Sequence, residues 1–264
     1  MVMRDFFLWL FSENSTGGSI SLYSFWHIFY LVLIFGGSIA LAFIFKNKSQ
    51  VAKNRVITVF AYLTIICYIA DFFIMPLSDS YNGISVWKLP FNICTLVGVW
   101  VPFVHFNPKF KKVKGVVVML AIASSMMWMV YPGSALGGEP PFSYLIFQTF
   151  IYHGYLFAWG FLSATLGEEK LHIKNCWKDL LGILVVLVWA WIGNMIYDQD
   201  WFFIMGKTFP ILPAWAMPIL VVALVFVVCL AVYGINHLVL LIASKCKKNR
   251  GVEAQVAEEP KIEQ

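Results

Sequence analysis

The sequence predicts an all-α membrane protein: a seven-transmembrane-helix bundle, N-terminus outside the membrane and C-terminus in the cytoplasm. Three observations carry this prediction. The 264 residues are 60% hydrophobic and only 12% charged, with a mean hydropathy of +0.77, whereas a soluble domain carries about 25% charged residues. The apolar residues form long continuous runs, near the roughly 20 residues that a bilayer-crossing helix needs. They do not alternate with period two as barrel strands do. Finally, the basic residues cluster in every second connection.

The apolar runs lie at about 22–45, 56–77, 86–106, 115–131, 142–166, 180–197 and 215–243. The third contains Pro90 and Pro102, and the fourth is short. Residues 1–21 are expected as a short extracytoplasmic segment, 22–245 as the transmembrane domain and 246–264 as a disordered cytoplasmic tail. The tail is acidic and poor in apolar residues, a composition that cannot bury a core. No cleavable leader is expected, because the first long apolar run exceeds a signal-peptide core and reads as a retained helix.

Orientation follows from the connections. Lys46, Lys48, Lys53 and Arg55 follow the first run; Lys109, Lys111, Lys112 and Lys114 follow the third; Lys170, Lys174 and Lys178 follow the fifth. The tail adds Lys245, Lys247, Lys248, Arg250 and Lys261. Of the 19 basic residues, the opposite side is left with Arg4, Lys88 and Lys207. Basic loops stay in the cytoplasm, and only an odd number of spans preserves the alternation. The same placement argues against nucleic acid as the partner for the net charge of +5. The five cysteines include no CxxC pair, so neither a disulfide framework nor a metal site is expected. No phosphate loop or other cofactor motif occurs. Asn14-Ser15-Thr16 matches a glycosylation triplet, a pattern that is common by chance.

Polar residues inside spans cost free energy, roughly 2.5–3.5 kcal/mol for a central Asp, and therefore need a reason. They are His27, Asp71, Lys88, Asn92, Cys94, Gln148, His153 and Asn194. In the predicted topology His27 and Asn92 lie within about 9 Å of the outer boundary at 1.5 Å rise per residue. Asp71 and Asn194 come late in outward-running spans, and His153 is deepest. A polar pocket open to the outer leaflet is the resulting expectation; His105, at the inner end, is the exception. Thr64, Cys67, Tyr68 and Asp71 share one helix face, which should point into the bundle, with Lys88 as a possible structural partner for Asp71.

Cys94 and His153 are the one nucleophile–base pair the spans offer. A thiol becomes a good nucleophile when an imidazole takes its proton. Pro90 is expected at a first helical position, placing Cys94 near a helix N-terminus. The bland alternative is a buried Cys acting as a small hydrophobe and a His acting as a packing residue.

The run Lys88-Leu89-Pro90-Phe91-Asn92-Ile93-Cys94 resembles the LP-x-x-x-C segment of the YwaF-like bacterial membrane proteins, relatives of the eukaryotic transmembrane-protein-164 acyltransferase. Tyr131-Pro132 and Tyr152-His153-Gly154 resemble that family's span four to span five segment. The segment from Asp198 to Lys207 is similar to its NYM-type loop, with Asp200 where an Asn is expected. The resemblance implies a seven-helix fold and acyl transfer onto lysophospholipids, with Cys94 and His153 in the catalytic roles. Membrane lipids, as phospholipid or lysophospholipid substrates, would be the partners. Asp71, Asn92, Asn194, Lys88 and His27 are the candidate substrate-binding residues, with Asn92 or Asn194 stabilising an oxyanion.

Two other classes compete. A transporter or sensor would use Asp71, His27 and His153 to bind a ligand or relay a proton, although no internal repeat supports it. A seven-helix receptor fits the topology, but the last span has no lysine for a retinal Schiff base.

Overall fold

A computed structural model describes residues 20–74, 76, 85–132, 141, 143–167, 169, 171–208 and 211–258, with side chains as far as Leu238. Those residues are helical and contain no strand. In chain order the helices are α1 (Phe25–Phe45), α2 (Gln50–Ile74), α3 (Ile93–Phe106), α4 (Lys111–Val130), α5 (Tyr144–Thr165), α6 (Cys176–Tyr197) and α7 (Met217–Glu258). Six stretches built on α1, α2, α4, α5, α6 and α7 are long and apolar enough to cross a membrane; α3 is a shorter apolar helix. The expected segment 1–21 lies almost wholly, and its glycosylation triplet wholly, outside the described residues.

Burial places α4 and α5 at the centre. Of their most apolar windows, 56% and 67% are buried, against 17–28% for the other four candidate spans. Small residues allow this. Gly160 of α5 lies so close to α4 that a Cβ would stand 3.0 Å from Ile122 and 3.1 Å from the Val118 carbonyl. Ala121 of α4 lies in the same seam, and Ala123, Ser124 and Ser125 of α4 are buried as well. Such small-residue seams drive helix association where lipid removes the hydrophobic incentive.

The peripheral helices show the complementary pattern. On α2, Ile57, Ala61, Thr64, Tyr68 and Asp71 are buried, while Val59, Tyr62, Ile66, Ile69 and Phe73 are exposed. On α6, Val185, Val188, Trp191, Met195 and Ile196 are exposed. A soluble monomer rarely exposes contiguous apolar faces of this extent; acyl chains are their natural solvent.

The sequence-based boundaries shift at several points. α1 starts at Phe25 and contains a π-helical turn, Val32–Gly36. The helix of the second run is described to Ile74. α6 begins at Cys176, which brings Asp179 inside the helix. α7 is described from Met217 to Glu258.

The largest correction concerns the third run. Val86–Lys88 is a single 3-10 turn, Leu89 and Asn92 are extended, and the helix starts only at Ile93. Pro90 therefore sits in a turn, not at a first helical position. Asn92 is the N-cap and Cys94 the second residue of α3.

Candidate functional site

The irregular segment before α3 is where the bundle gathers its polar groups. Its carbonyls are satisfied by side chains. Tyr68 donates its hydroxyl to the Lys88 carbonyl at 2.8 Å. Thr95 donates to Leu89 and Asn92 at 3.3 and 3.0 Å, and Trp189 donates Nε1–H to Pro90 at 2.7 Å. Phe91 stacks on Trp189 and packs on Trp201, with ring centroids 5.2 and 4.7 Å apart. Non-helical backbone survives at membrane depth only where protein or a polar cavity satisfies it.

Asp71, at the end of α2, meets Lys88 as the helix-face reading of α2 anticipated. The Lys88 ammonium lies 2.7 Å from Asp71 Oδ2, with the carboxylate side chain 2% exposed and the lysine 18% exposed. Tyr144 donates its hydroxyl to Asp71 Oδ1 at 2.8 Å, and Lys88 also donates to Gln148 Oε1 at 3.2 Å. These bonds tie α2, the pre-α3 turn and α5 together.

Cys94 is buried beside α4 and α5. Its carbonyl accepts the Tyr152 hydroxyl at 2.9 Å, and Gly98, one turn further along α3, leaves room for that hydroxyl, which a Cβ would strike. The Ser124 hydroxyl of α4 neighbours the thiol. His153 lies flat on Trp128 of α4, with centroids 4.1 Å apart and planes 9° apart. Ser124 and Trp128 are one helical turn apart, so thiol and imidazole border the same strip of α4. No hydrogen bond joins them among the described residues. His153 donates Nδ1–H to the Thr149 carbonyl at 2.7 Å, which leaves Nε2 of the neutral ring as the basic nitrogen.

The remaining expected site residues make the following contacts. His27 accepts the Tyr23 N–H at Nδ1 and donates Nε2–H to the Met129 carbonyl, at 2.9 and 2.8 Å. It fastens α1 to the end of α4. Asn194 clamps Trp201 by accepting its N–H at 2.7 Å and donating to its carbonyl at 3.1 Å. Both polar atoms of Asn194 are thereby committed. Asn92 accepts the Phe202 N–H at 3.0 Å and does not cap α3 with its side chain. Asp200 accepts the N–H groups of Met205 and Thr208, both at 2.7 Å.

These three side chains brace a loop in which Phe202 and Phe203 adopt positive φ of 62° and 55°. Such backbone persists only where its surroundings over-determine it. The Asp at position 200 has an evident use, since a carboxylate can accept two backbone bonds. In the same connection Lys207 bonds Asp198 and, by that bond and by its charge, holds the exposed carboxyl below its ordinary range.

Two anchors escaped the sequence reading. Asp179, 2% exposed, accepts the Tyr233 hydroxyl at 2.6 Å. The π-helical turn of α1 sets Ile34 against Gly154, beside His153.

The fold and its buried polar cluster define a multi-pass helical membrane protein with a polar centre near the ends of α2 and α6 and the start of α3. A family model for the TMEM164 family matches residues 22–235, and the chain belongs to that family. Comparison with curated proteins and with solved structures finds no match.

Proposed function

We propose that this chain is a lipid acyl enzyme of the cell membrane, either a phospholipid acyltransferase or a lipase-like hydrolase. In this reading all seven helices cross the bilayer, the N-terminus is outside, the C-terminus is cytoplasmic, and the polar centre faces the outer leaflet. The observation that carries the reading is the position of Cys94, second in α3, with the His153 ring on the same strip of α4 and its Nε2 lone pair uncommitted among the described residues. A helix N-terminus favours a developing anion.

The chemistry has two halves. Cys94 Sγ attacks the ester carbonyl of a phospholipid while His153 Nε2 takes the thiol proton. The tetrahedral intermediate collapses, the lysophospholipid oxygen leaves with the proton from His153, and a thioester remains on Cys94. Water or a second lysophospholipid hydroxyl then attacks the thioester, with His153 again as base, and the thiol is restored. First-turn N–H groups of α3, which Asn92 does not cap, support the oxyanion. Asn92 contributes its remaining amide donors, whereas Asn194 stabilises the loop. Substrate draws the thiol and imidazole together, as catalytic bonds often tighten only in the Michaelis complex.

The test is acyl release and transfer from a labelled phospholipid in proteoliposomes. Cys94→Ala and His153→Ala should each lower the rate by about a hundredfold or more, with elution profile and thermal unfolding unchanged. Wild-type rates in Cys94→Ala would dismiss the thiol role.

The Asp71–Lys88 pair favours one second reading, a transporter or sensor in which that pair binds a ligand or relays a proton. Loss of function in Asp71→Asn with Cys94→Ala silent would select it.

A further inference from the structure

The connection from α6 to α7 ends in an apolar stretch that the polar centre does not use. From Thr208 to Ser244 the sequence holds no Asp, Glu, Lys or Arg. Yet α7 begins only at Met217, and its candidate span Met217–Leu238 has 22 residues, about 33 Å at 1.5 Å per residue. That length crosses a hydrocarbon core of about 30 Å unaided. The apolar residues before Met217 are therefore surplus to the crossing.

They are also surplus to the bundle. Ile211 is 71% exposed, Leu212 41% and Trp215 77%, and Pro213 and Ala214 between them are exposed as well. The local backbone holds this display in place. Gly206, at a φ of 66°, turns the chain back so tightly that a Cβ there would lie 3.2 Å from Met217 Cγ. Asp200 fixes the same turn through the N–H groups of Met205 and Thr208. Met217 is buried, so the base of the loop is rooted in the bundle while Ile211–Trp215 face outward. Proline suits this stretch. Pro210 and Pro213 have no N–H to satisfy, and the Pro213 carbonyl accepts the Ala216 N–H at 2.8 Å. Fewer bare backbone groups lower the cost of leaving water.

Two features identify what covers the loop. Its exposed residues run on into the lipid-facing side of α7, where Ile219 is exposed. An exposed tryptophan beside the first residues of a span belongs at the headgroup level, where the indole ring meets an apolar phase and its N–H meets a wet one.

We propose that Ile211–Trp215 is an interfacial anchor, seated at the headgroup–acyl boundary of the leaflet next to the start of α3. Its partner is the lipid surface itself. The same connection carries Trp201 and Phe202, held by Asn194 and Asn92, and Trp201 packs on Phe91 just before α3. The anchor thus ties the membrane surface to the segment beside the polar centre. It does so whether or not Cys94 is a nucleophile.

The test uses full-length protein in phosphatidylcholine proteoliposomes. Single cysteines at Ile211, Trp215 and Lys207, in a background with the native cysteines replaced, carry an environment-sensitive nitrobenzoxadiazole dye. Aqueous iodide should quench Ile211→Cys and Trp215→Cys about threefold less than Lys207→Cys. A lipid nitroxide near the headgroup should quench the first two about twice as strongly as the third, and more strongly than a nitroxide deep in the acyl chain. Should Trp215→Cys not fold, Ala214→Cys reports on the same loop. The proposal is overturned if iodide reaches Ile211→Cys and Trp215→Cys as readily as Lys207→Cys, or if the deep nitroxide is the better quencher. Protection from both iodide and nitroxides overturns it too, since protein would then cover the loop; a disulfide between copies at Trp215→Cys would assign that cover to a second copy of the chain.

Discussion

At the residue scale, the Asp71–Lys88 pair is the most consequential contact outside the proposed chemistry. The carboxylate is 2% exposed and the lysine 18%, so the two partners differ in what their loss costs. Removing Lys88 strands a buried anion that retains the Tyr144 hydroxyl; removing Asp71 strands an ammonium that retains Gln148 and some access to solvent. Breaking one side of a buried pair costs about 3–5 kcal/mol. Lys88→Ala is therefore expected to destabilise by about 3 kcal/mol and Asp71→Ala by less. The double variant should be less destabilised than the sum of the two. Thermal or denaturant unfolding in detergent measures this cycle, and strictly additive losses would show that the pair is not coupled. The sequence made this contact legible because Thr64, Tyr68 and Asp71 repeat on one helical face. Asp179 was missed for the converse reason: placed in a connection before the sixth run, it gave no sign of facing Tyr233 of α7.

At the element scale, α3 is where composition misleads. Val86, Trp87, Leu89, Pro90 and Phe91 are apolar and adjoin a genuine helix, so the run reads as one continuous span. The determinants of its irregularity are remote in sequence: the Tyr68 hydroxyl, the Trp189 indole and the Phe202 N–H. No local periodicity encodes them, although the other helices were legible to within several residues, apart from the far end of α7. Asn194 illustrates the same limit. Its polarity inside a span was visible, but its engagement with Trp201 depends on how the following loop folds back. The seam between α3 and α5 yields a prediction. Gly98 gives the Tyr152 hydroxyl its place against the Cys94 carbonyl. In Gly98→Ala the phenol must move, losing that bond and overpacking the seam, a loss of about 1–3 kcal/mol. Adding Tyr152→Phe to Gly98→Ala removes the hydroxyl that clashes and should recover part of this loss, as read by Tm. No recovery in the pair would place the clash elsewhere.

At the scale of the whole molecule, the two ends of the bundle differ in kind, and their assignment to the two sides of the membrane is the claim on which the proposed substrate route depends. The lysine-bearing end carries the connections around Lys48, Lys112 and Lys174; the other carries the braced Asp198–Lys207 loop and the start of α3. Positive charge is retained on the cytoplasmic side because translocating it is unfavourable. Basic residues recur at successive alternate connections. The proposed orientation requires α3 to cross despite its 14 residues, about 21 Å of helix at 1.5 Å per residue. The shortfall against a core of about 30 Å falls to Lys88–Asn92, whose carbonyls are largely satisfied by side chains from other elements. Single cysteines introduced at Ser49 and Thr208, in a background with the native cysteines replaced, separate the possibilities. A membrane-impermeant maleimide should label Thr208→Cys in intact cells and Ser49→Cys only after permeabilisation. A further cysteine at Asn107, at the far end of α3, should behave like Ser49→Cys. If Asn107→Cys and Thr208→Cys label alike in intact cells, α3 does not cross. The polar centre would then no longer lie in a pocket opened by a short spanning helix.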